Sequence, residues 1–289
     1  MTPAIRAVFG LACAISPMLA GRLALRLFST PLKTKRLSPA EMRLAERAQE
    51  RLAQAERLVI TSNGSNVITY RFGQNRAESG QTIVLVHGWM SGARYMLAMV
   101  DPPLALGHEV ICFDLPAHGE SSGKTTNLAA CAQALVAVID QIGGANRIIA
   151  HSFGGAVTAY ALSQLRPQQL GSNGHITLIA SPNQLRVVTE RFGAAIGLTP
   201  SALKIYQDRL CAPLGATLAE MDGNIMFAAA GYPLDIIHSI DDPEVSIEEA
   251  RRYTQMGTTA RLTELDGLGH RQILYKPAAM AALVESVGR

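Results

Sequence analysis

A chain of 289 residues can bury one large core, or a core with an appendage, and its 25 glycines suit an α/β protein with tight turns. Four scattered cysteines and seven dispersed histidines lack the spacing of a zinc site and point to buried thiols in a reducing compartment. The net charge of +3 is uneven. Residues 1–57 hold ten Lys/Arg against four Glu, whereas residues 58–289 hold 16 basic and 19 acidic residues, so no nucleic-acid surface is expected on the main body.

In chain order, residues 4–28 come first and are mostly apolar, with Arg6, Arg22 and Arg26 interspersed. Gly10, Pro17 and Gly21 should interrupt any long helix, and no charge-free run reaches the roughly 20 residues a membrane span needs. The segment is expected to pack on the body that follows. Two alternatives stay open: peripheral contact with an anionic membrane through residues 1–36, and a signal peptide for export, which the short apolar run disfavours. Ser38-Pro39-Ala40-Glu41 then reads as a helix start and predicts a helix over 39–56 with a solvated, charged face.

Residues 58–72 read as two strands around Asn63-Gly64, an antiparallel lead-in to a sheet. Apolar runs near 82–86, 109–113, 147–150, 175–180, 233–240 and 261–265 suit parallel strands covered on both faces. Helices are predicted near 92–101, 126–142, 153–165, 246–256 and 277–287, an alternation that implies a doubly wound sheet. One gap is too long for a simple crossover. Residues 183–231 carry helical patterns near 184–196, 200–211 and 215–229 and read as a small helical cap. The expected organisation is a basic, mostly helical extension over 1–57 and an α/β domain over 58–289 that contains the cap.

The most informative stretch is Arg147-Ile148-Ile149-Ala150-His151-Ser152-Phe153-Gly154-Gly155. It reads as a short apolar strand turning sharply, at a serine, into a helix, the form of a nucleophile elbow. Small residues must flank such a turn because the backbone crowds there. Gly154 supplies one, and Ala150 stands where glycine is usual. A serine is a poor nucleophile until a histidine takes its proton, and the histidine needs a carboxylate to hold its tautomer. In elbow enzymes the acid and then the base follow the serine in the chain. Of the seven histidines only His175, His238 and His270 do so, and the first two sit in apparent strands. His270 lies in the glycine-rich run Asp266-Gly267-Leu268-Gly269-His270 after a strand, where open α/β sheets present their chemistry. The acid should be Asp241 or Asp242, directly after the strand 233–240.

With these pieces in family order over residues 82–289, the chain resembles the α/β-hydrolase fold family of serine hydrolases. The resembling motifs are Leu85-Val86-His87-Gly88-Trp89, Phe113-Asp114-Leu115-Pro116-Ala117-His118-Gly119-Glu120-Ser121, the elbow, His238-Ser239-Ile240-Asp241-Asp242-Pro243-Glu244-Val245, and Gly267-Leu268-Gly269-His270. The resemblance implies a mostly parallel, doubly wound sheet and a Ser152–Asp242–His270 triad. Asp242 is favoured because it precedes the proline. Backbone N–H groups of Phe153 and Trp89 would hold an oxyanion. His87, Asp114, His118 and Glu120 are expected to shape loops. Ser239 stands where the family often has glycine. No cofactor and no metal are implied.

The expected activity is hydrolysis of a carboxylic ester, thioester or related acyl compound, with a small acyl molecule as partner. Acyl transfer or perhalogenation-type chemistry on the same triad, and a non-catalytic, membrane-peripheral binding module, are the alternatives. Trp89 and Met90 are the candidate pocket residues. Met96, Met99, Met221, Met226 and Phe227 could join them or simply fill the core. Gly119-Glu120-Ser121-Ser122-Gly123-Lys124-Thr125 resembles a phosphate loop but has three residues, not four, between its first Gly and the Gly-Lys pair, so nucleotide binding is not expected.

Overall fold

The computed structural model describes residues 2–31, 39–74, 80–255 and 259–289. An eight-stranded sheet runs through it: β1 (Glu56–Ser62), β2 (Ser65–Phe72), β3 (Thr82–Val86), β4 (Glu109–Phe113), β5 (Arg147–His151), β6 (His175–Ile179), β7 (Leu234–Ser239) and β8 (Ala260–Leu265). The spatial order is β1-β2-β4-β3-β5-β6-β7-β8. β1 and β2 are antiparallel, as is the β2–β4 pair, and all other neighbours are parallel. The β1–β2 hairpin turns at Asn63 and Gly64, both with positive φ (47° and 75°), the backbone that a two-residue hairpin with matching twist requires.

Strand alternation divides the core between the two faces. Val84, Val86, Ile111, Phe113, Ile148 and Ala150 pack on one side against α5 (Leu128–Gln141) and α6 (Phe153–Leu162). Ile83, Leu85, Val110, Cys112 and Ile149 pack on the other, against α13 (Pro277–Val287). Both faces of β3 to β7 are covered, which explains why these strands read as largely apolar runs, whereas β8 at the sheet edge is only partly buried, against the expectation of cover on both faces.

The helix expected over 92–101 is absent as such. Two 3₁₀ turns, Ala93–Tyr95 and Leu97–Met99, precede the short α4 (Asp101–Ala105). Pro102 and Pro103 have no N–H to give a preceding turn, so a helix can begin at them but not run through them. At the N-terminus, Pro17 divides the apolar segment into α1 (Pro3–Ile15) and α2 (Pro17–Phe28). Gly10 and Gly21 do not interrupt these helices. Gly21 instead permits a close crossing: a Cβ there would meet Ile205 Cγ2 at 2.7 Å. The predicted cap of the next helix, Ser38, lies outside the described residues, and the helix itself, α3, covers Pro39–Leu52.

The short α7 (Pro167–Leu170) precedes β6 and α11 (Ile247–Tyr253) follows β7; between β6 and β7 come α8 (Leu185–Ile196), α9 (Pro200–Cys211) and α10 (Gly223–Ala230). The last begins later than the sequence pattern suggests. Gly215 ends the preceding turn in the left-handed region, and Asp222 caps the new helix through the Asn224 N–H at 2.9 Å. α2 lies along α9, and α1 meets α8. Phe9 and Ala24 share a buried cluster with Ile196, Tyr206 and Leu210. Among the described residues no helix is long and apolar enough to cross a membrane.

Candidate active site

β5 ends at His151 and α6 begins at Phe153, so the whole reversal falls on Ser152, with φ 52° and ψ −122°. This backbone is costly for a residue with a Cβ and persists only where its surroundings enforce it. The Ser152 N–H donates to Ile179 O at 2.9 Å, pinning the turn to β6. A Cβ at Gly154 would stand 2.5 Å from Val86 O and 2.9 Å from His87 O, so α6 can approach β3 only with glycine there. Ala150 is fully buried within the core and is accommodated where glycine is usual.

The structure brings Ser152, His270 and Asp242 together. His270 Nε2 lies 2.9 Å from Ser152 Oγ, and His270 Nδ1 lies 2.7 Å from Asp242 Oδ2. His270 stands on the short helical turn α12 (Gly269–Gln272) beyond β8, and Asp242 follows β7. Asp242 Oδ1 accepts from the N–H groups of Glu244 at 2.7 Å and Val245 at 2.9 Å. Burial opposes ionisation of this carboxyl. The hydrogen bond from His270 and those from the Val245 and Glu244 amides outweigh it and hold the group below the usual carboxylate range.

Asp241 does a different job. It accepts from Ser239 Oγ and from the Gly269 N–H, while Ser239 Oγ also accepts from the Leu268 N–H at 3.1 Å. Ser239 and Asp241 thus tie the loop after β7 to the loop that carries His270.

The remaining histidines have structural partners. His87 Nε2 accepts from the Leu115 N–H at 2.9 Å and its Nδ1 donates to Gly88 O at 2.7 Å. Complete burial lowers its pKa to about 4. His118 accepts from the Met90 N–H at 3.1 Å. His238 is fully buried, with Nε2 on Val245 O at 2.9 Å. His175 meets Asp235 at 2.8 Å, and Ser286 Oγ donates to the same oxygen. There serine and histidine both face the carboxylate, at the opposite ends of the strands from Ser152. Asp114 accepts from the Ala93 and Glu120 N–H groups, both at 2.8 Å, and shapes the loop after β4. The phosphate-loop decoy is stitched to β2 through Ser121 and Ser122, whose hydroxyls accept from the Ile68 and Asn66 N–H groups.

The sequence reading overlooked one contact beside the serine. His151 is buried, its Nε2 donates to the backbone carbonyl of His270 at 3.0 Å, and desolvation lowers its pKa to about 3. The elbow thereby holds the His270 main chain as well as facing its ring.

The N–H groups of Trp89 and Phe153 meet no acceptor among the described residues. That of Phe153 opens α6, where helix geometry leaves it unused. A cavity of about 350 Å³ opens over Ser152 and His270. Its walls include Phe28, Trp89, Leu185, Val188, Phe192 and Met226, with the Arg191 and Glu244 side chains also on the lining. Met90 is a correction. Its φ is 50°, its side chain is half exposed, and it does not line this cavity. Met96 and Met99 are buried in the core, whereas Met221 and Met226 reach the cavity. Phe28 was also overlooked. Its ring stacks on Trp89 at 5.9 Å and meets Phe192 edge-on at 5.0 Å. Nothing local in the sequence marks Phe28, because its role depends on how α2 docks. A wider groove along α9 contains neither Ser152 nor His270. Among the described residues no cluster of three His, Cys, Asp or Glu could hold a metal ion.

Residues 83–283 match the model of the alpha/beta hydrolase family. The chain belongs to the α/β-hydrolase family. Among solved structures, this α/β hydrolase is similar to an esterase from Pyrococcus furiosus, with TM-score 0.62 and 18% identity over 90% of this chain and 98% of that one. It is also similar to alpha/beta hydrolase domain-containing protein 10 from mouse, with TM-score 0.59 and 15% identity over 81% and 97% of the two chains. At such identity the likeness concerns the fold. A curated relative is the dihydrolipoyllysine-residue acetyltransferase component of the acetoin cleaving system of Pseudomonas putida, 36% identical over 107 residues. That match spans 36% of this chain and 28% of the relative.

Proposed function

We propose that the protein is a serine hydrolase that cleaves a carboxylic ester, thioester or related acyl compound through an acyl-enzyme on Ser152. The observation that supports this reading best is the continuous chain of contacts from Ser152 Oγ through His270 to Asp242, beneath an apolar cavity. In this reading Ser152 Oγ attacks the acyl carbonyl while His270 Nε2 takes its proton. Asp242 holds the proton on Nδ1, leaving the Nε2 lone pair free for the serine. The tetrahedral oxyanion accepts from the Phe153 and Trp89 N–H groups, aided by the positive end of α6. His270 then protonates the departing alcohol or thiol. Water, deprotonated by the same imidazole, releases the acid and restores Ser152.

The acyl chain would lie along Trp89, Phe28 and the inner side of α8. Cytoplasmic residence belongs to the same proposal and is supported by four buried, free cysteines. The test is Ser152→Ala, which should abolish both labelling by a fluorophosphonate probe and hydrolysis of short p-nitrophenyl esters. Undiminished turnover by that variant would refute the assignment. A second reading, transfer of the acyl group to an acceptor other than water, is favoured by the acetyltransferase component among the relatives. Adding alcohol or thiol acceptors and analysing the products separates the two.

A further inference from the structure

The outer side of the N-terminal helices is apolar where the surface of a folded protein is normally polar. In α1, Phe9, Ala12 and Cys13 are buried. On the opposite side Val8, Leu11 and Ile15 are 58%, 65% and 67% exposed. Spaced three and four residues apart, they form a single ridge. α2 extends it: Ala20, Gly21 and Ala24 pack inward, while Met18, Leu19 and Leu23 are exposed. The inward sides already account for the attachment of both helices, so the fold does not require the outer side chains. A contiguous exposed apolar surface of this kind marks an interaction site.

Charge identifies the partner. The first forty residues hold six Lys/Arg and no Asp or Glu. Arg6 is engaged at the end of α8 through the Ala194 and Ala195 carbonyls. Arg22 and Arg26 are exposed beside Leu19 and Leu23, and neither forms an ion pair among the described residues. A second copy of the chain would bring the same positive charge against itself. An anionic bilayer would not: apolar side chains enter the acyl boundary while guanidinium groups meet phosphates. The ridge also leads to the cavity, because α2 ends at Phe28 against Trp89. We propose that α1 and α2 seat the protein on an anionic membrane surface, lying on it without crossing it, with the cavity mouth beside the docked helices.

The test is co-sedimentation of the full chain with vesicles of phosphatidylcholine alone or mixed with phosphatidylglycerol. Binding should require phosphatidylglycerol and weaken with added salt. Leu11→Ser with Ile15→Ser should lower partitioning on the order of 100-fold, as expected for removing two large apolar side chains from the boundary. Arg22→Gln with Arg26→Gln should lower it on the order of tenfold. Both double variants should keep the wild-type circular dichroism spectrum and ester hydrolysis. Ser152→Ala should bind vesicles as the wild type does, so the outcome is independent of the proposed chemistry. No binding, or equal binding to neutral vesicles, overturns the proposal. So does a wild-type dimer that the Leu11→Ser/Ile15→Ser variant splits, since the ridge would then be a self-association face.

Discussion

Replacing Asp242 with asparagine tests the proposed proton relay while leaving its shape in place. The amide oxygen can keep the hydrogen bonds from Glu244 and Val245, now 2.7 and 2.9 Å long. The amide nitrogen then takes the place of Oδ2, 2.7 Å from His270 Nδ1. Two donors cannot face each other there, so Nδ1 must present its lone pair and the proton moves to Nε2. That atom faces Ser152 Oγ at 2.9 Å and has lost the lone pair that would accept the serine proton. The expected fall in kcat is about 10⁴-fold, or about 5 kcal/mol of barrier, with the melting temperature nearly unchanged. Asp241→Asn is the matched control, because Asp241 bonds Ser239 and the Gly269 amide and not the imidazole. It should cost less than about tenfold, since it perturbs the loop but not the tautomer. Initial rates on short p-nitrophenyl esters and thermal melts measure both effects. An Asp242→Asn enzyme with wild-type turnover, or an Asp241→Asn enzyme equally impaired, would refute the reasoning.

Stability should fall as the medium is acidified. Burial lowers the folded pKa values of His87 and His151 to about 4 and about 3, below the roughly 6.5 of a free imidazole, so the unfolded chain binds their protons first. Their neutral burial is tolerated in full above pH ~6.5, and each then costs up to about 1.4 kcal/mol per pH unit down to its folded pKa. Urea midpoints at pH 7, 6 and 5 should decline in step, and a flat profile would contradict the burial of these rings. Gly154→Ala would press a methyl group on two backbone carbonyls, at 2.5 and 2.9 Å. It should destabilise the protein by about 2 kcal/mol, seen as a lower melting temperature, and an unchanged melt would argue against this close α6–β3 approach. Phe28→Ala should enlarge the cavity beside Trp89 and move the preferred acyl chain to greater length in a p-nitrophenyl ester series. An unchanged profile would exclude Phe28 from the acyl wall.

The contrast between Ser152 and Phe28 shows what was legible in the sequence. The elbow is a local object: an apolar strand, a serine and a glycine that the β3 backbone demands are adjacent in the chain, so their spacing reports their geometry. The strands β3 to β7 were equally readable, because both of their faces are buried and they are largely apolar, whereas the edge strand β8 is only partly covered. Asp241 and Asp242 could not be separated by spacing alone, since adjacent loop residues point in different directions. In the structure the amides of Glu244 and Val245 hold the Asp242 carboxylate towards His270. The helix expected over 92–101 failed for a local reason, the proline pair that restarts it. Met90 adjoins Trp89 in the chain, yet it is half exposed and absent from the cavity lining, so adjacency in sequence did not report its place.

Phe28 was illegible for a deeper reason. It reaches the cavity because Pro17 bends the chain and Gly21 lets α2 settle against Ile205, so its place is decided by a helix crossing rather than by a motif. The parts of the site proposed for bond making therefore come from strand ends, whose positions the sheet dictates. The parts proposed for choosing the acyl chain come from α2 and α8, whose positions depend on how the N-terminal helices pack on the helices between β6 and β7. A change at that crossing, such as Gly21→Ala, would act on substrate choice through Phe28 without touching Ser152, His270 or Asp242.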